Sequence, residues 1–343
     1  MVPTVTQLST PDVLDDASVR VAVLVPCHNE SVSVATVVND FRAALPHSTV
    51  YVYDNCSTDD TADVARAAGA VVRTEPEPGK GNVVRRMFAD IEADVYVMVD
   101  GDATYEAAAA PGMVRLLIDE SLDMVVGNRV SEIEEAYRRG HVIGNQFFNG
   151  LHRWLFGSSF KDVFSGYRVL SRRLVKSFPT MAPGFEIEAE LTVHALDIKA
   201  PWAEVPTKYK ARGEDSASKL RTFRDGRRIL LRSLLLYKEM HPARFFGAFC
   251  GLFALTGLVL AIPVIDEFAK SGQVPRFPTA ILAASLELVA FLFLAAGVIL
   301  DSIARRHREV KRLHYLRFTA PIAMQAQSSE TQPSSRSTQV LAQ

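Results

Sequence analysis

Val19-Arg20-Val21-Ala22-Val23-Leu24-Val25, followed at once by Pro26-Cys27-His28-Asn29-Glu30, decides the fold. The run is nearly continuous in β-branched residues, as suits a strand covered on both faces, and it opens into a polar loop. An amphipathic stretch then leads to about Leu45. A second apolar run at 49–53 ends at Asp54-Asn55-Cys56-Ser57-Thr58-Asp59, whose last residues can cap a helix over 61–68. Short strands at 70–73, 95–99 and 124–126, with a helix at 82–91, continue the alternation. Strands alternating with helices predict βαβ units and a mostly parallel sheet covered on both faces, an α/β domain over 19–210. In such sheets ligands sit beyond the carboxyl ends of the strands, where this chain places Pro26 to Glu30, Asp54-Asn55 and Asp100-Gly101-Asp102. Three polar loops at one edge make a nucleotide-sized site. No Gly-x-Gly-x-x-Gly follows the first strand, and Gly79-Lys80-Gly81-Asn82 lacks P-loop spacing, so neither a dinucleotide site nor a P-loop is expected.

The chain has 343 residues, 48% of them hydrophobic and 22% charged, which excludes a disordered chain and allows one large domain or two ordinary ones. Cys27, Cys56 and Cys250 form no ligand-spaced pair, so neither a disulfide framework nor a zinc site is expected, and a reduced compartment fits. The formal net charge of −1 averages over an uneven chain. Segment 211–244 carries nine Lys/Arg against four Asp/Glu, and 301–317 carries six against two.

Between those basic blocks lie two apolar runs, 245–265 without a charge and 279–300 with Glu287 alone. A bilayer core takes about 20 residues of helix, so each run can cross once; a pair of buried core helices is the alternative. Basic blocks on both flanks predict a hairpin with the α/β domain and both termini cytosolic. Residues 1–18 are polar and read as a flexible N-terminus without a signal peptide, and the Ser/Gln/Thr-rich tail after about Ala320 reads as disordered. Glu287 is costly in lipid and should face the other helix, a neighbouring subunit or the bilayer edge. Residues 220–240 interleave arginines with leucines, a basic amphipathic helix suited to an anionic membrane surface or to packing on the globular domain.

Asp100-Gly101-Asp102 offers two carboxylates to one divalent cation, which keeps other positions for water and phosphates; a solvated turn with a helix cap uses the same residues. Asp54 can accept hydrogen bonds from a base or ribose, with Asn29 and Glu30 closing the other side. Lys80, between two glycines that permit close backbone approach, can reach a diphosphate or be an ordinary turn lysine. His28 reads as a loop residue. A later cluster, Asp162 to Arg168, then Gly184 to Glu188, precedes Arg212, Ser218 and Lys219. Arg212 and Lys219 can hold a lipid-borne phosphate or bind headgroups nonspecifically.

Val21 to Glu30, Tyr53 to Asp59, Gly79-Lys80-Gly81 and Val99-Asp100-Gly101-Asp102 together resemble the family 2 glycosyltransferases of GT-A (nucleotide-diphospho-sugar transferase) fold. Asp162 with Ser165-Gly166-Tyr167-Arg168, Phe185-Glu186-Ile187-Glu188 and Ser218-Lys219-Leu220 make the chain similar to the polyprenyl-phosphate glycosyltransferases, relatives of dolichyl-phosphate mannose synthase. The resemblance covers about 19–300. It implies a GT-A domain at 19–210, an interfacial segment at 211–244, a transmembrane hairpin at 245–300 and a cytosolic basic or disordered tail at 301–343. It further implies that Pro26, Asn29, Glu30, Asp54, Asn55, Lys80 and Asp100 bind the nucleotide, and that Asp100 and Asp102 hold Mg²⁺ or Mn²⁺. Asp102, Asp162 and Arg168 would serve catalysis, and Arg129, Arg168, Arg212, Ser218 and Lys219 would face phosphates. Asn128 and Asp215 depart from the family's pattern.

The implied reaction is transfer, with inversion, of a sugar from a nucleotide sugar to polyprenyl phosphate at the lipid bilayer. A UDP-sugar (GlcNAc, GalNAc or glucose) is preferred over GDP-mannose. Asp162 either orients the acceptor or acts as a weak base, or else pairs with an arginine. A homo-oligomer is compatible with this; a nucleic-acid partner is not expected. A polysaccharide synthase would carry Gln-x-x-Arg-Trp, but Gly150 stands three residues before Arg153-Trp154. A nucleotidyltransferase would want a Gly-rich turn after the first strand, and a non-catalytic scaffold would not need Asp100 and Asp102.

Overall fold

The structure, a computed structural model, describes residues 19–131, 150, 160–210 and 222–321. It divides into two compact units, one containing residues up to Gly226 and from His314 onward, the other Arg227–Leu313.

The first unit is built on seven strands: β1 Val21–Cys27, β2 Thr49–Asp54, β3 Val71–Thr74, β4 Val95–Met98, β5 Met124–Ser131, β6 Arg168–Ser171 and β7 Trp202–Tyr209. They lie in the order β3-β2-β1-β4-β6-β5-β7. Only β6 runs antiparallel to its neighbours, so the sheet is mostly parallel, as expected. Val21 to Val25 are all buried, with Ala22 and Leu24 in one core and Val21, Val23 and Val25 in the other. This two-sided burial is why β1 reads as an unbroken apolar run.

Helices cover both faces: α1 Val34–Ala44, α2 Thr61–Ala67, α3 Lys80–Asp90, α4 Ala110–Asp119, α5 Arg172–Ser177 and α6 Ile187–Asp197. In α1 the buried residues are Val34, Val37, Val38 and Phe41, the stripe of a helix lying on a sheet. In α4, Ala110, Met113, Val114, Leu117 and Ile118 repeat the stripe, and Pro111 sits in the first turn, where its missing N–H has no cost. The sixth helix differs. Residues 187–195 are buried without a break, including Glu188, Glu190, Thr192 and His194.

The strands β6 and β7 escape the sequence reading. The first is four residues long and begins with an arginine. The second carries Pro206 and Lys208 and lies at the sheet edge, where a missing N–H is tolerated.

Three further helices follow: α7 Thr222–Met240, α8 Pro242–Ser271 and α9 Phe277–Leu316. The first matches the expected amphipathic helix, and Leu231, Leu234 and Leu235 are exposed along it. The other two contain windows apolar enough to cross a membrane, of which only 11% and 17% are buried. That is the reverse of a core helix, so the alternative of two buried core helices falls.

The helix α8 ends at Gly272, whose left-handed φ of 67° lets its N–H close on Phe268 O at 2.8 Å. Phe246, Phe249 and Phe253 pack on Phe293 across the hairpin, with ring centroids 5.4–6.1 Å apart. A Cβ on Gly257 would lie 2.8 Å from Glu287 Oε1, so Glu287 faces the other helix of the hairpin.

The segment from 301, read as a basic or disordered tail, continues α9 as far as Leu316. Tyr315 beyond the unit boundary is 2% exposed in the core of the first unit and donates to Asp123 Oδ2 at 2.5 Å. The apolar pattern stops near 300, so nothing in it signals that one later tyrosine returns to a core.

Residues 1–18, Arg153-Trp154, Arg212, Ser218, Lys219 and the tail after 321 lie outside the described residues.

Candidate active site

Parallel pairing of β1 with β2 and of β1 with β4 sets Cys27 opposite Asp54 and Leu24 opposite Met98, so the three following loops share one edge. Each loop holds one non-glycine residue in the left-handed region, at Asn29 (φ 51°), Cys56 (φ 57°) and Ala103 (φ 55°). That conformation is unfavourable outside glycine and persists where surrounding contacts impose it, often at functional sites.

The imposing contacts are side chains that stitch loop to loop. Asn29 Oδ1 accepts from Thr58 N at 2.7 Å, and Ser57 Oγ accepts from Asn29 N at 2.9 Å. Glu30 N donates to Thr61 Oγ1 at 2.8 Å, and Ser33 Oγ donates to Gly101 O at 2.7 Å. Glu30 is buried behind the Asp100 loop, and Pro26 is half-buried near the end of β1. His28 Nδ1 donates to Asn55 O at 2.6 Å, which agrees with a loop residue.

Asp54 stands apart. It is 8% exposed, and its buried Oδ1 has no hydrogen-bond partner. A buried acceptor left alone costs about 1–3 kcal/mol, so Oδ1 keeps the capacity to accept from a donor that the protein does not supply.

Asn55 does not share that role. Its Nδ2 donates to Glu75 O (2.9 Å) and Glu77 O (2.8 Å), and its Oδ1 accepts from Gly79 N (2.7 Å). All of that amide chemistry shapes the turn before α3, so the expected nucleotide contact becomes a support for Lys80.

Lys80 is the first residue of α3 rather than the tip of a free turn. Its ammonium pairs with both Asp100 and Glu188. Burial alone would pull it down, but the two carboxylates outweigh that and hold it above the ordinary lysine value. Burial pushes the Glu188 carboxyl up. The flanking glycines serve protein packing rather than a ligand. A Cβ would meet Pro183 O at 2.2 Å from Gly79, whose φ is 129°, and Ala182 O at 1.9 Å from Gly81.

Asp100 is 30% exposed and abuts Gly166, where a Cβ would lie 2.5 Å from its Oδ2. Asp102 is buried, and Thr104 holds its Oδ1 through the hydroxyl at 2.6 Å. Among the described residues no group of three or more His, Cys, Asp or Glu is arranged to hold a metal ion. Two carboxylates are instead a donor set that fits Mg²⁺ or Mn²⁺ only when phosphate and water oxygens complete the shell.

Asp162 takes the pairing role, one of the roles open to it. Arg129 Nε and Nη2 donate to its two oxygens at 2.7 and 2.8 Å, with side chains 19% and 4% exposed. Arg129 also lies 5.5 Å from the Tyr209 ring centroid. The bidentate pair occupies the carboxylate and much of the fork that was expected to face a phosphate.

Arg168 is fully buried and corrects the expectation more sharply. It donates to Ser165 O at 2.9 Å, Val163 O at 2.6 Å and Thr192 Oγ1 at 2.9 Å, and burial pulls it down to about 10. It braces the 162–166 loop and reaches no phosphate. Glu188 stood in the sequence only as part of the Phe185-Glu186-Ile187-Glu188 motif, with no site role, and Tyr105, whose hydroxyl accepts from Gly166 N at 3.0 Å, was not singled out. The signal for Glu188 was a carboxylate inside the apolar start of a helix.

Comparison with known proteins bears on the family and the fold. The description Glycosyl transferase family 2 matches residues 22–178. The glycosyltransferase AglJ of Haloferax volcanii is 33% identical over 299 residues, covering 86% of this chain and 98% of that protein. A dolichyl-phosphate hexose transferase of the same organism is 29% identical over 196 residues, 57% of this chain and 85% of that protein. The solved structure of glucosyl-3-phosphoglycerate synthase from Mycobacterium tuberculosis with Mn²⁺, UDP-glucose and phosphoglyceric acid aligns with a TM-score of 0.54. It is 25% identical and covers 65% of this chain and 82% of that one. The sheet is that of a GT-A-like domain, and the chain belongs to glycosyl transferase family 2.

Proposed function

We propose that this enzyme moves a hexose from a nucleotide sugar, a UDP-sugar in the first instance, to a polyprenyl phosphate at a membrane, with inversion at the anomeric carbon. The observation that carries the reading is the presence, in one family 2 chain, of a lysine-balanced Asp100/Asp102 loop and two barely buried helices of membrane length. The relative named a dolichyl-phosphate hexose transferase supports the acceptor, and the neighbour solved with Mn²⁺ and UDP-glucose supports the donor. Basic segments on both sides of the hairpin support a cytosolic side for the catalytic domain and both termini.

In the reaction an acceptor phosphate oxygen attacks the anomeric carbon. The bond from that carbon to the diphosphate breaks, and its electron pair leaves on the nucleoside diphosphate. A phosphate monoester has a second pKa of about 6, so the nucleophile is anionic near neutral pH and a strong base is unnecessary. This accords with an Asp162 already committed to Arg129. Asp54 would accept a base or ribose donor, and Lys80 would turn from Asp100 toward the diphosphate. A divalent cation on Asp100 and Asp102 would offset the charge that grows on the leaving group. Arg212, Ser218 and Lys219 are proposed for the acceptor phosphate on sequence grounds alone.

The test uses membranes holding the full chain, a panel of labelled nucleotide sugars and one polyprenyl phosphate. Label should move to the lipid from one UDP-sugar, and EDTA should stop it. Asp102→Ala should abolish transfer while leaving the fold intact. Undiminished transfer by that variant would remove the metal assignment, and transfer only to a water-soluble acceptor would remove the lipid reading.

A further inference from the structure

The connection between α5 and α6 is a strap under load. Thr180 is 2% exposed and holds a φ of 48°, a conformation that a β-branched residue adopts only when neighbours enforce it. The two residues that follow Thr180 are held by Glu190, buried one turn into α6. Its Oε1 accepts from Met181 N at 3.2 Å and its Oε2 from Ala182 N at 2.6 Å.

The strap bears in turn on the donor loop. Gly81 N donates to Pro183 O at 3.0 Å, and the glycines on either side of Lys80 leave no room for a Cβ against the Ala182 and Pro183 carbonyls. One helix therefore reaches Lys80 twice: Glu188 pairs with its ammonium, and Glu190, through two backbone N–H groups and the strap, fixes where its backbone sits. A helix buried on every side has reason to keep two carboxylates only if both are committed to partners.

We infer that Glu190 is a positioning residue for the donor diphosphate, acting through the Thr180 to Gly184 strap on Lys80. The inference rests on the donor reading above and leaves the acceptor open.

The test measures binding of UDP with Mn²⁺ to the full detergent-solubilised chain by calorimetry, which needs no acceptor. Glu190→Ala should weaken UDP binding about tenfold, the scale for losing a group that orients a ligand-binding residue. Glu190→Gln keeps one acceptor oxygen and should recover part of that loss. Lys80→Ala/Glu190→Ala should bind no more weakly than Lys80→Ala alone, because the second change acts only through the first. In the transfer assay KM for the nucleotide sugar should rise while KM for polyprenyl phosphate stays.

Unchanged UDP affinity in Glu190→Ala overturns the inference, as does full additivity with Lys80→Ala or an equal rise in both KM values. A wild-type chain that binds UDP but transfers nothing to lipid fails the acceptor reading and leaves the Glu190 result standing. A wild-type chain that binds no UDP removes the donor reading and this inference with it.

Discussion

Asp162→Asn separates a structural carboxylate from a catalytic one. The substitution keeps size and shape but removes the charge that matches Arg129, whose Nε and Nη2 lie 2.7 and 2.8 Å from the carboxylate. Both side chains are largely out of water, at 19% and 4% exposure, so the lost partner is not replaced by solvent. Breaking one side of a buried pair typically costs about 3–5 kcal/mol, because the remaining charge is stranded. At about 2–4 °C per kcal/mol for a domain of this size, melting should fall by about 10 °C. Replacing both partners, as in Arg129→Met/Asp162→Leu, should recover most of that loss. A general base predicts the opposite pattern, since its removal lowers kcat by about 10²–10⁴ and leaves melting alone. The assays are thermal unfolding in detergent and kcat measured at a temperature where the variant stays folded. Wild-type melting in Asp162→Asn together with a hundredfold loss of kcat would refute the pairing account.

Four other substitutions probe packing elsewhere in the chain. Tyr315→Phe removes one donor from Asp123, which keeps Ser171 Oγ at 2.6 Å and Arg173 at 2.6 and 2.7 Å, so unfolding should show a loss of about 2 kcal/mol. Tyr167→Phe removes a buried hydroxyl that has no partner and should leave stability unchanged or raise it by about 1 kcal/mol in the same assay. Gly257→Leu should disrupt the hairpin, since a Cβ there meets Glu287 Oε1 at 2.8 Å and Ala283 O at 3.2 Å. Gly251→Ala, where a Cβ meets nothing within 4 Å, should be neutral by protease resistance of the membrane fraction.

How much of this was legible in the sequence depends on the range of the interaction concerned. Strand β1 and the stripes of α1 and α4 are periodic patterns, and periodicity survives without knowledge of neighbours. The position of Asp54, Asp100 and Asp102 at one edge follows from parallel pairing, which the alternation of strands and helices already required. What stayed hidden is partnership. Asn55 reads like a pocket residue until Glu75, Glu77 and Gly79 are seen around its amide, all reached by a turn whose course no local pattern fixes.

Arg168 makes the same point with a charge. An arginine in a polar motif invites a phosphate, because an ion is expensive to bury without compensation. Here two backbone carbonyls and Thr192 Oγ1 supply that compensation at 2.6–2.9 Å, and none of them is a carboxylate that sequence reading would have matched to it. The motif is therefore required by the loop's architecture, while in the proposed reaction the counter-charge to the donor diphosphate must come from residues that can leave their protein partners. Of the basic side chains placed around the site, Lys80 meets that condition best. One of its two partners, Asp100, is 30% exposed and stands in the pair proposed for the metal, so a cation bound there would take over that carboxylate and leave the ammonium, still held by Glu188, to turn toward the donor.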